Sequence, residues 1–192
     1  MGPKVAAVLV FGASAAVLVV ELVALRLLAP YFGLTLETST LVIGVALAAI
    51  AAGSWTGGQV ADILPPRSLL GPLLGISGVA VAITPFVVRG AGATGDSNLL
   101  FLAAGLSIMI PGSLLSAVTP VVIKLRLTDL HETGTVVGRL SGIGTVGAIA
   151  GTVVTGFVLI SKVPVTGILV GLGVVLVASS VVVQMHAGRG RR

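Results

Sequence analysis

The fold of this chain is decided by the stretch Val5 to Leu28, VAAVLVFGASAAVLVVELVALRLL. It is apolar throughout except for Gly12, Ser14 and two charged residues, Glu21 and Arg26. At about 1.5 Å of rise per residue, a helix of this length crosses the roughly 30 Å hydrocarbon core of a bilayer. The run is also longer than the roughly 7 to 15 residues of a signal-peptide core. It therefore predicts a transmembrane helix.

The composition of the whole chain indicates an integral membrane protein. Of its 192 residues, 56% are hydrophobic and only 9% are charged, whereas soluble domains carry about 25% charged residues. Six apolar runs have the length of a membrane span, and none alternates with the period of a barrel strand. We expect an all-α integral membrane protein, a single six-helix domain over residues 1–192, with spans near 5–28, 40–60, 69–88, 98–123, 136–160 and 165–185.

The positive charges predict the orientation of these spans. The net charge of +5 does not indicate nucleic-acid binding, because the basic residues lie between and after apolar runs. One side of the membrane would collect eight of them: Lys4, Arg67, Lys124, Arg126, Arg139, Arg189, Arg191 and Arg192. The other side would keep Arg26, Arg89 and Lys162. This bias places both termini in the cytoplasm, in a bacterial plasma membrane. Because the chain has no cysteine and only two histidines, no metal or cofactor is expected.

Glu21 is the residue that most needs an explanation. A carboxylate inside a span costs about 2.5 to 3.5 kcal/mol on insertion scales and rarely faces lipid. Ser14, seven residues earlier, shares its helix face, whereas Arg26 is about 140° around the helix. Glu21, Ser14 and Arg26 form the candidate substrate-binding or proton-binding set, with Arg26 near enough to the outer end to snorkel. The alternative is that Glu21 is a protonated or hydrogen-bonded packing residue.

Glycines form a second pattern within the spans. In the fifth run, Gly138 and Gly142, and likewise Gly147 and Gly151, are four residues apart. Small residues at this spacing let two helix backbones approach closely in lipid. The pattern predicts helix packing, either within one bundle or at a subunit interface.

The segment after the second run resembles the cytoplasmic motif of the major facilitator superfamily. It reads GGQVADILPPR, and its Gly57, Gly58, Asp62 and Arg67 match, although Ile63 and Pro66 stand where that family has arginine and glycine. We expect a gating network that includes these residues and two arginines on the same predicted side, Arg126 and Arg139. Ordinary interfacial charge is the alternative.

A broader resemblance covers most of the chain. The segments FGASAAVLVVELVALRLLAPYFG, GSWTGGQVAD, VTPVVIKLRL and GRLSGIGTVGAIAGTVVTGFVLI resemble the membrane domain of fused facilitator/spermidine synthase proteins. The resemblance implies a half-sized facilitator-like bundle. It also implies that Pro30, Gly33, Thr119 and Pro120 belong to recurrent motifs, together with the charged residues already named. No transferase-like sequence follows within these residues, so we expect no enzymatic activity.

Two functions remain open. The first is a homodimeric half-size transporter of a small, cationic, polyamine-like solute, in which two copies of the chain build the cavity that a facilitator builds from two halves. The second is a membrane anchor or regulatory subunit for a separate soluble aminopropyltransferase, docked through the loop Lys124 to Gly138. Only the transporter needs the Glu21 carboxylate.

Overall fold

The computed structural model describes residues 2–127 and 133–189, with side chains as far as Met185. Within these ranges the chain is all-helical, and its six longest helical segments are long and apolar enough to cross a membrane, which confirms the predicted fold class at this level. The helices are α1 (Pro3–Phe32), α2 (Leu36–Ile63), α3 (Pro66–Ala93), α4 (Ser97–Arg126), α5 (Thr133–Val154) and α6 (Val165–Arg189). The α5 segment continues through a π-helical turn, Thr155–Leu159, and a last helical turn, Ile160–Lys162. The cytoplasmic location of the termini stays a prediction.

Polar capping residues mark the start of two of the helices, α2 and α4. The Thr35 hydroxyl accepts a hydrogen bond from the Thr38 N–H at the start of α2. The Asp96 carboxylate accepts from the N–H groups of Asn98 and Leu99 at the start of α4. Such caps satisfy N–H groups that have no partner within the helix. Hydropathy identifies the apolar core of each span, and a polar cap sets the start of α2 and of α4, whereas α1 and α3 begin at a proline without such a cap.

The packing of the six helices is nearly symmetric between the two halves of the chain. Helix α5 packs on α1 and α2 packs on α4, while α3 packs on α6 and α1 packs on α4. If α1, α2 and α3 are exchanged for α4, α5 and α6, the pairing of α1 with α5 becomes that of α4 with α2. The pairings of α3 with α6 and of α1 with α4 stay the same. Each half has an odd number of helices, and short connections make consecutive helices within a half antiparallel. The two halves therefore have inverted topology, each helix of the first half running opposite to its counterpart in the second.

The contact between α1 and α5 depends on two glycines. A Cβ atom added to Gly147 would overlap the main chain of Phe11, and one added to Gly151 would lie 2.6 Å from the carbonyl oxygen of Ala15. Gly147 and Gly151 are both buried. The two helix backbones are thus in direct contact, and they run parallel because both residue numbers increase in the same direction.

The equivalent contact between α2 and α4 uses the same device. A Cβ on Gly53 would overlap the main chain of Ser113, and one on Gly57 would lie 2.6 Å from the Cβ of Ala117. The two glycines are again four residues apart, as are the residues that they touch. Gly57, which the sequence assigned to a gating motif, is therefore a packing residue here, whereas Gly58 has nothing within 4 Å of its added Cβ.

The contact between α3 and α6 is closed by a polar link as well as by small residues. The Ser180 hydroxyl donates to the main-chain carbonyl of Gly71 over 2.7 Å, and the Gln184 amide donates to the same hydroxyl over 3.1 Å. Hydrogen bonds between membrane helices average about 0.6 kcal/mol and reach about 1.7 kcal/mol. This link fixes α6 on α3.

The symmetry breaks where α6 would match the extensive contact of α3 with α4. Helix α6 touches α1 only weakly, and an apolar groove of about 490 Å³ separates them. Lys4 and Val5 on α1 and Val175 and Val182 on α6 line this groove. At this groove α1 and α6 are separated, whereas the equivalent helices, α4 and α3, are in extensive contact.

The glycine contacts lead to a prediction about stability. We expect Gly147→Ala to destabilise the protein by about 1–3 kcal/mol, the usual cost of overpacking, because the new methyl group meets the main chain of Phe11. Gly142→Ala is the matched control on the same helix, since Gly142 has nothing within 4 Å of its added Cβ. Thermal unfolding of the purified protein in detergent measures both. Equal unfolding temperatures for the two variants would contradict the assignment.

Candidate functional site

A cleft of about 290 Å³ lies among α1, α2, α4 and α5, the four helices that are held in pairs by glycine contacts, and its wall combines apolar side chains with hydroxyl groups. Half of its twelve lining residues carry hydroxyl groups. The apolar part of its wall includes Val17, Leu18, Ile50 and Leu115. The hydroxyl residues are Ser14, Ser54, Ser116, Thr119, Ser141 and Thr145. A concave site with a few convergent polar groups is the usual form of a small-molecule site.

Most of these hydroxyls are available to a ligand. Only Thr145 donates to its own helix, through the Ser141 carbonyl, and the other five have no hydrogen-bond partner among the described residues. Hydroxyls elsewhere commonly donate to the carbonyl one turn back, as those of Thr56, Thr84 and Thr152 do. That arrangement hides a hydroxyl from the apolar surroundings, and its absence in the cleft leaves donors and acceptors unused.

Pro120 adds a main-chain acceptor to the cleft wall. A proline has no N–H, so it cannot bond the carbonyl four residues earlier, which here belongs to Ser116. The same situation arises at Pro111, where the Thr84 hydroxyl of α3 supplies a hydrogen bond of 3.4 Å to the Ser107 carbonyl. Among the described residues no side chain supplies one to Ser116. Ser116 lines the cleft, so one of the cleft residues has a main-chain carbonyl without its usual helical donor.

Glu21 lies on the cleft-facing side of α1. Ser14 and Leu18 line the cleft, and Glu21 follows Leu18 by about one turn on the same helix face. Its side chain is partly buried, and it has no hydrogen bond or ion pair with any described residue. The structure thus places Ser14 in the cleft and Glu21 beside it, along the same face.

Arg26 does not join this group. It is exposed and lies about 140° around α1 from Glu21. No described residue forms an ion pair with it. Of the three residues in the predicted binding set, the structure brings Ser14 and Glu21 to one face and leaves Arg26 on another.

The residues that sequence reasoning missed are the remaining cleft hydroxyls. Thr119 had been noted only as part of a family motif, and Ser54, Ser116, Ser141 and Thr145 were not singled out. A signal was present, since Ser116 and Thr119 are three residues apart and Ser141 and Thr145 are four apart, which puts each pair on one helix face. The convergence of four helices on one cleft could not be read from any single span.

The gating network stays a prediction, and the ion pair that the structure shows at this end of the bundle joins Asp62 to a residue outside the predicted set. The Asp62 carboxylate accepts a hydrogen bond of 2.5 Å from the Lys124 ammonium group, which joins the ends of α2 and α4. The sequence predicts that Lys124 begins a loop, and it does not predict a pairing of Lys124 with Asp62. Arg67 has no ion-pair partner among the described residues. The observed link is therefore between Asp62 and Lys124.

Arg126 and Arg139 meet at a different place. Both line a pocket of about 250 Å³ between the first turns of α1, the end of α4 and the start of α5, together with Pro3 and Thr135. The proposed docking loop, Lys124 to Gly138, includes residues 128–132, which lie outside the described residues.

The four glycines predicted to pack fall into two pairs. Gly147 and Gly151 contact α1, as described above. Gly138 and Gly142 are exposed, with nothing within 4 Å of an added Cβ. Packing within the chain therefore involves the second pair and not the first, because only the second faces α1.

Comparisons with known proteins give no match: no family model, no curated protein and no solved structure is similar to this chain. The resemblance drawn from the sequence motifs accordingly stays a prediction.

The exposed ion pair between Asp62 and Lys124 leads to a second prediction. Their side chains are 64% and 50% exposed, and exposed pairs contribute about 0.2–1 kcal/mol, less at high salt. We expect Asp62→Asn to lower the unfolding temperature only slightly at low salt and not at all at high salt. Arg67→Gln is the control, expected to show no such salt dependence. A destabilisation above about 2 kcal/mol would contradict this account of the pair.

Proposed function

We propose that the protein is a half-size, facilitator-like membrane carrier of a small cationic solute, such as a polyamine, and that it acts as a homodimer in a bacterial plasma membrane. The single observation that carries this proposal is the hydroxyl-lined cleft among α1, α2, α4 and α5. Polar groups within a membrane bundle are costly, and they commonly mark the path of a solute. The inverted topology of the two halves supports the same proposal, because secondary transporters are commonly built from inverted repeats with the site at the repeat interface.

The chemistry of the cleft favours an amine as the solute. Ammonium groups only donate hydrogen bonds. The available oxygens of Ser14 and Ser116, together with the Ser116 carbonyl, are acceptors suited to them. Glu21 supplies the nearest negative charge on the same face of α1. An anionic solute would find no basic group among the residues that line the cleft.

The open side of the cleft argues for a second copy of the chain. Ser54, Ser141 and Thr145 line the cleft and are exposed, so in a single chain their hydroxyls would face lipid. Polar side chains in membrane helices normally face the bundle interior or a water-filled cavity. Apposing two clefts would enclose these hydroxyls and double the binding surface. Facilitators enclose their solute between two six-helix halves in the same way.

An uptake measurement tests the function. Proteoliposomes containing the purified protein are expected to accumulate radiolabelled polyamine in a saturable manner. Glu21→Gln should reduce the rate at least about tenfold, which corresponds to about 1.4 kcal/mol of lost interaction. The double variant Ser14→Ala and Ser116→Ala should raise KM several-fold, because each lost hydroxyl removes an acceptor.

The control for this measurement is Ser179→Ala. Its hydroxyl donates to the Val175 carbonyl of its own helix, outside the cleft, so we expect uptake to be unchanged. Absence of uptake by correctly folded protein would refute a polyamine carrier. In that case, capture of a purified aminopropyltransferase by the membrane-embedded chain would support the anchor function instead.

Cross-linking tests the dimer. Since the chain has no cysteine, single cysteines can be introduced at Ser54 or Thr145 without background. A short bis-maleimide reagent is expected to join two copies through either position in native membranes. Val79→Cys, on the exposed outer face of α3, should stay monomeric. Dimers from Val79→Cys alone would indicate an interface elsewhere.

A further inference from the structure

A second pocket, of about 250 Å³, lies where α1 and α5 begin and α4 ends. Its apolar lining residues include Ala6 and Leu140, which are buried, and Ile143, which is partly buried. Arg126 and Arg139 line it as well. None of the eight described residues that line this space, which we call the arginine pocket, is acidic. The pocket therefore combines an apolar surface with two positive charges.

The helix that carries Arg139 does not account for the position of this residue. Arg139 lies in the second turn of α5, near an end at which a helix stabilises negative charge, and no described residue forms an ion pair with it. Arg126, in contrast, lies in the last turn of α4, where the helix itself favours a positive charge. The predicted cytoplasmic side explains a positive charge at this end of the bundle, but not its place on the wall of a pocket. Arg139 is thus the stronger indication of a ligand.

The two helices that begin at the pocket add to its positive potential. Pro3 lines the pocket at the start of α1, and the N-cap residue of that helix, Gly2, provides no side-chain cap. Thr135 lines the pocket from the first turn of α5. Neither first turn contains an acidic residue. The partial positive charges of these helix ends are therefore not neutralised by an acidic side chain in the same turn.

A phosphate group matches this combination. The planar fork of N–H donors on an arginine suits the oxygen atoms of a phosphate, and helix N-termini favour the same group. Arg126 also interacts elsewhere in the chain, but a guanidinium has five N–H donors and can keep one partner while it binds an anion. The pocket volume is about eight times the roughly 30 Å³ that one water occupies in the liquid. The space is therefore large enough for a phosphate and the atoms esterified to it.

The surroundings favour a phosphate that belongs to a lipid. The pocket lies at the ends of three helices of membrane-spanning length, which is the level of the lipid headgroups. Its apolar residues, Ala6, Leu140 and Ile143, suit the esterified part of a lipid better than they suit a hydrated free anion. Basic pockets between membrane helices on the cytoplasmic side bind anionic headgroups in other proteins.

We propose that the arginine pocket binds the phosphate group of an anionic phospholipid, with Arg139 and Arg126 as the hydrogen-bond donors. A lipid bound there contacts α1, α4 and α5 together and stabilises their arrangement at this end of the bundle. The site does not rest on the proposed transport function, because lipid binding is measured without any solute.

The experiment is an equilibrium titration of the purified full chain, in an uncharged detergent, with phosphatidylglycerol that carries a fluorophore on one acyl chain. Unlabelled phosphatidylglycerol is expected to displace it at least about tenfold more effectively than phosphatidylcholine, because the choline cation is repelled by the arginines. Arg139→Gln and Arg126→Gln should each weaken binding about tenfold, because each removes charge-assisted hydrogen bonds to the phosphate. Arg67→Gln is the matched control, since it removes the same charge on the same predicted side but does not line the pocket. It should bind the lipid as the unmodified chain does.

Inorganic phosphate distinguishes a lipid headgroup from a free anion. At constant ionic strength, added phosphate is expected to leave the labelled lipid bound, because the free anion makes no apolar contacts. Displacement by phosphate as effective as displacement by phosphatidylglycerol would assign the pocket to a free anion and overturn the lipid site.

The matched variants provide the second decisive result. Asp129 and Glu132, which lie outside the described residues, are the other candidates to pair with Arg139. If either does so in place of a lipid, Arg139→Gln lowers the unfolding temperature and binds phosphatidylglycerol as tightly as Arg67→Gln does. That outcome would overturn the site and would leave the proposed carrier untouched.

Discussion

The structure depends on one constraint, the direct contact of helix backbones at glycine. In lipid there is no hydrophobic force to hold helices together, so association rests on close packing and on hydrogen bonds. Gly147 and Gly151 provide that packing for α1 with α5, and Gly53 and Gly57 provide it for α2 with α4. Because both contacts are made by backbone and small side chains, each pair of helices has one register. The register of each pair determines which polar side chains of its two helices lie at the same level.

The cleft follows from these contacts. The two tight pairs, α1 with α5 and α2 with α4, leave a space between them. The hydroxyl side chains of Ser14, Ser116 and Thr119 line the remaining space. Apolar side chains in this space would have stabilised the bundle without leaving hydrogen-bonding groups unpaired. Retaining polar groups there makes sense if they bind something, since their unused hydrogen bonds otherwise cost free energy.

The number and type of elements could be predicted from the sequence, because a membrane span is a local property of about 20 apolar residues. Contacts between helices could be predicted only in part. The four-residue spacing at Gly147 and Gly151 indicated packing, but the identical spacing at Gly138 and Gly142 did not produce it within the chain. Spacing shows that a close approach is possible, and the neighbouring helix decides whether it occurs. For the same reason the partner of Asp62 was found at Lys124, on a helix 62 positions away.

The two glycine contacts also have a mechanical consequence. Helices whose backbones touch cannot slide or separate without losing many contacts at once, because packed interfaces have discrete arrangements and do not deform continuously. We therefore expect α1 and α5 to move together as one rigid body, and α2 and α4 as another. The cleft lies between these two bodies, so it widens or narrows only as they tilt relative to each other. The contact between α1 and α4 is the main one that joins the two pairs, so we expect it to be the axis about which they tilt.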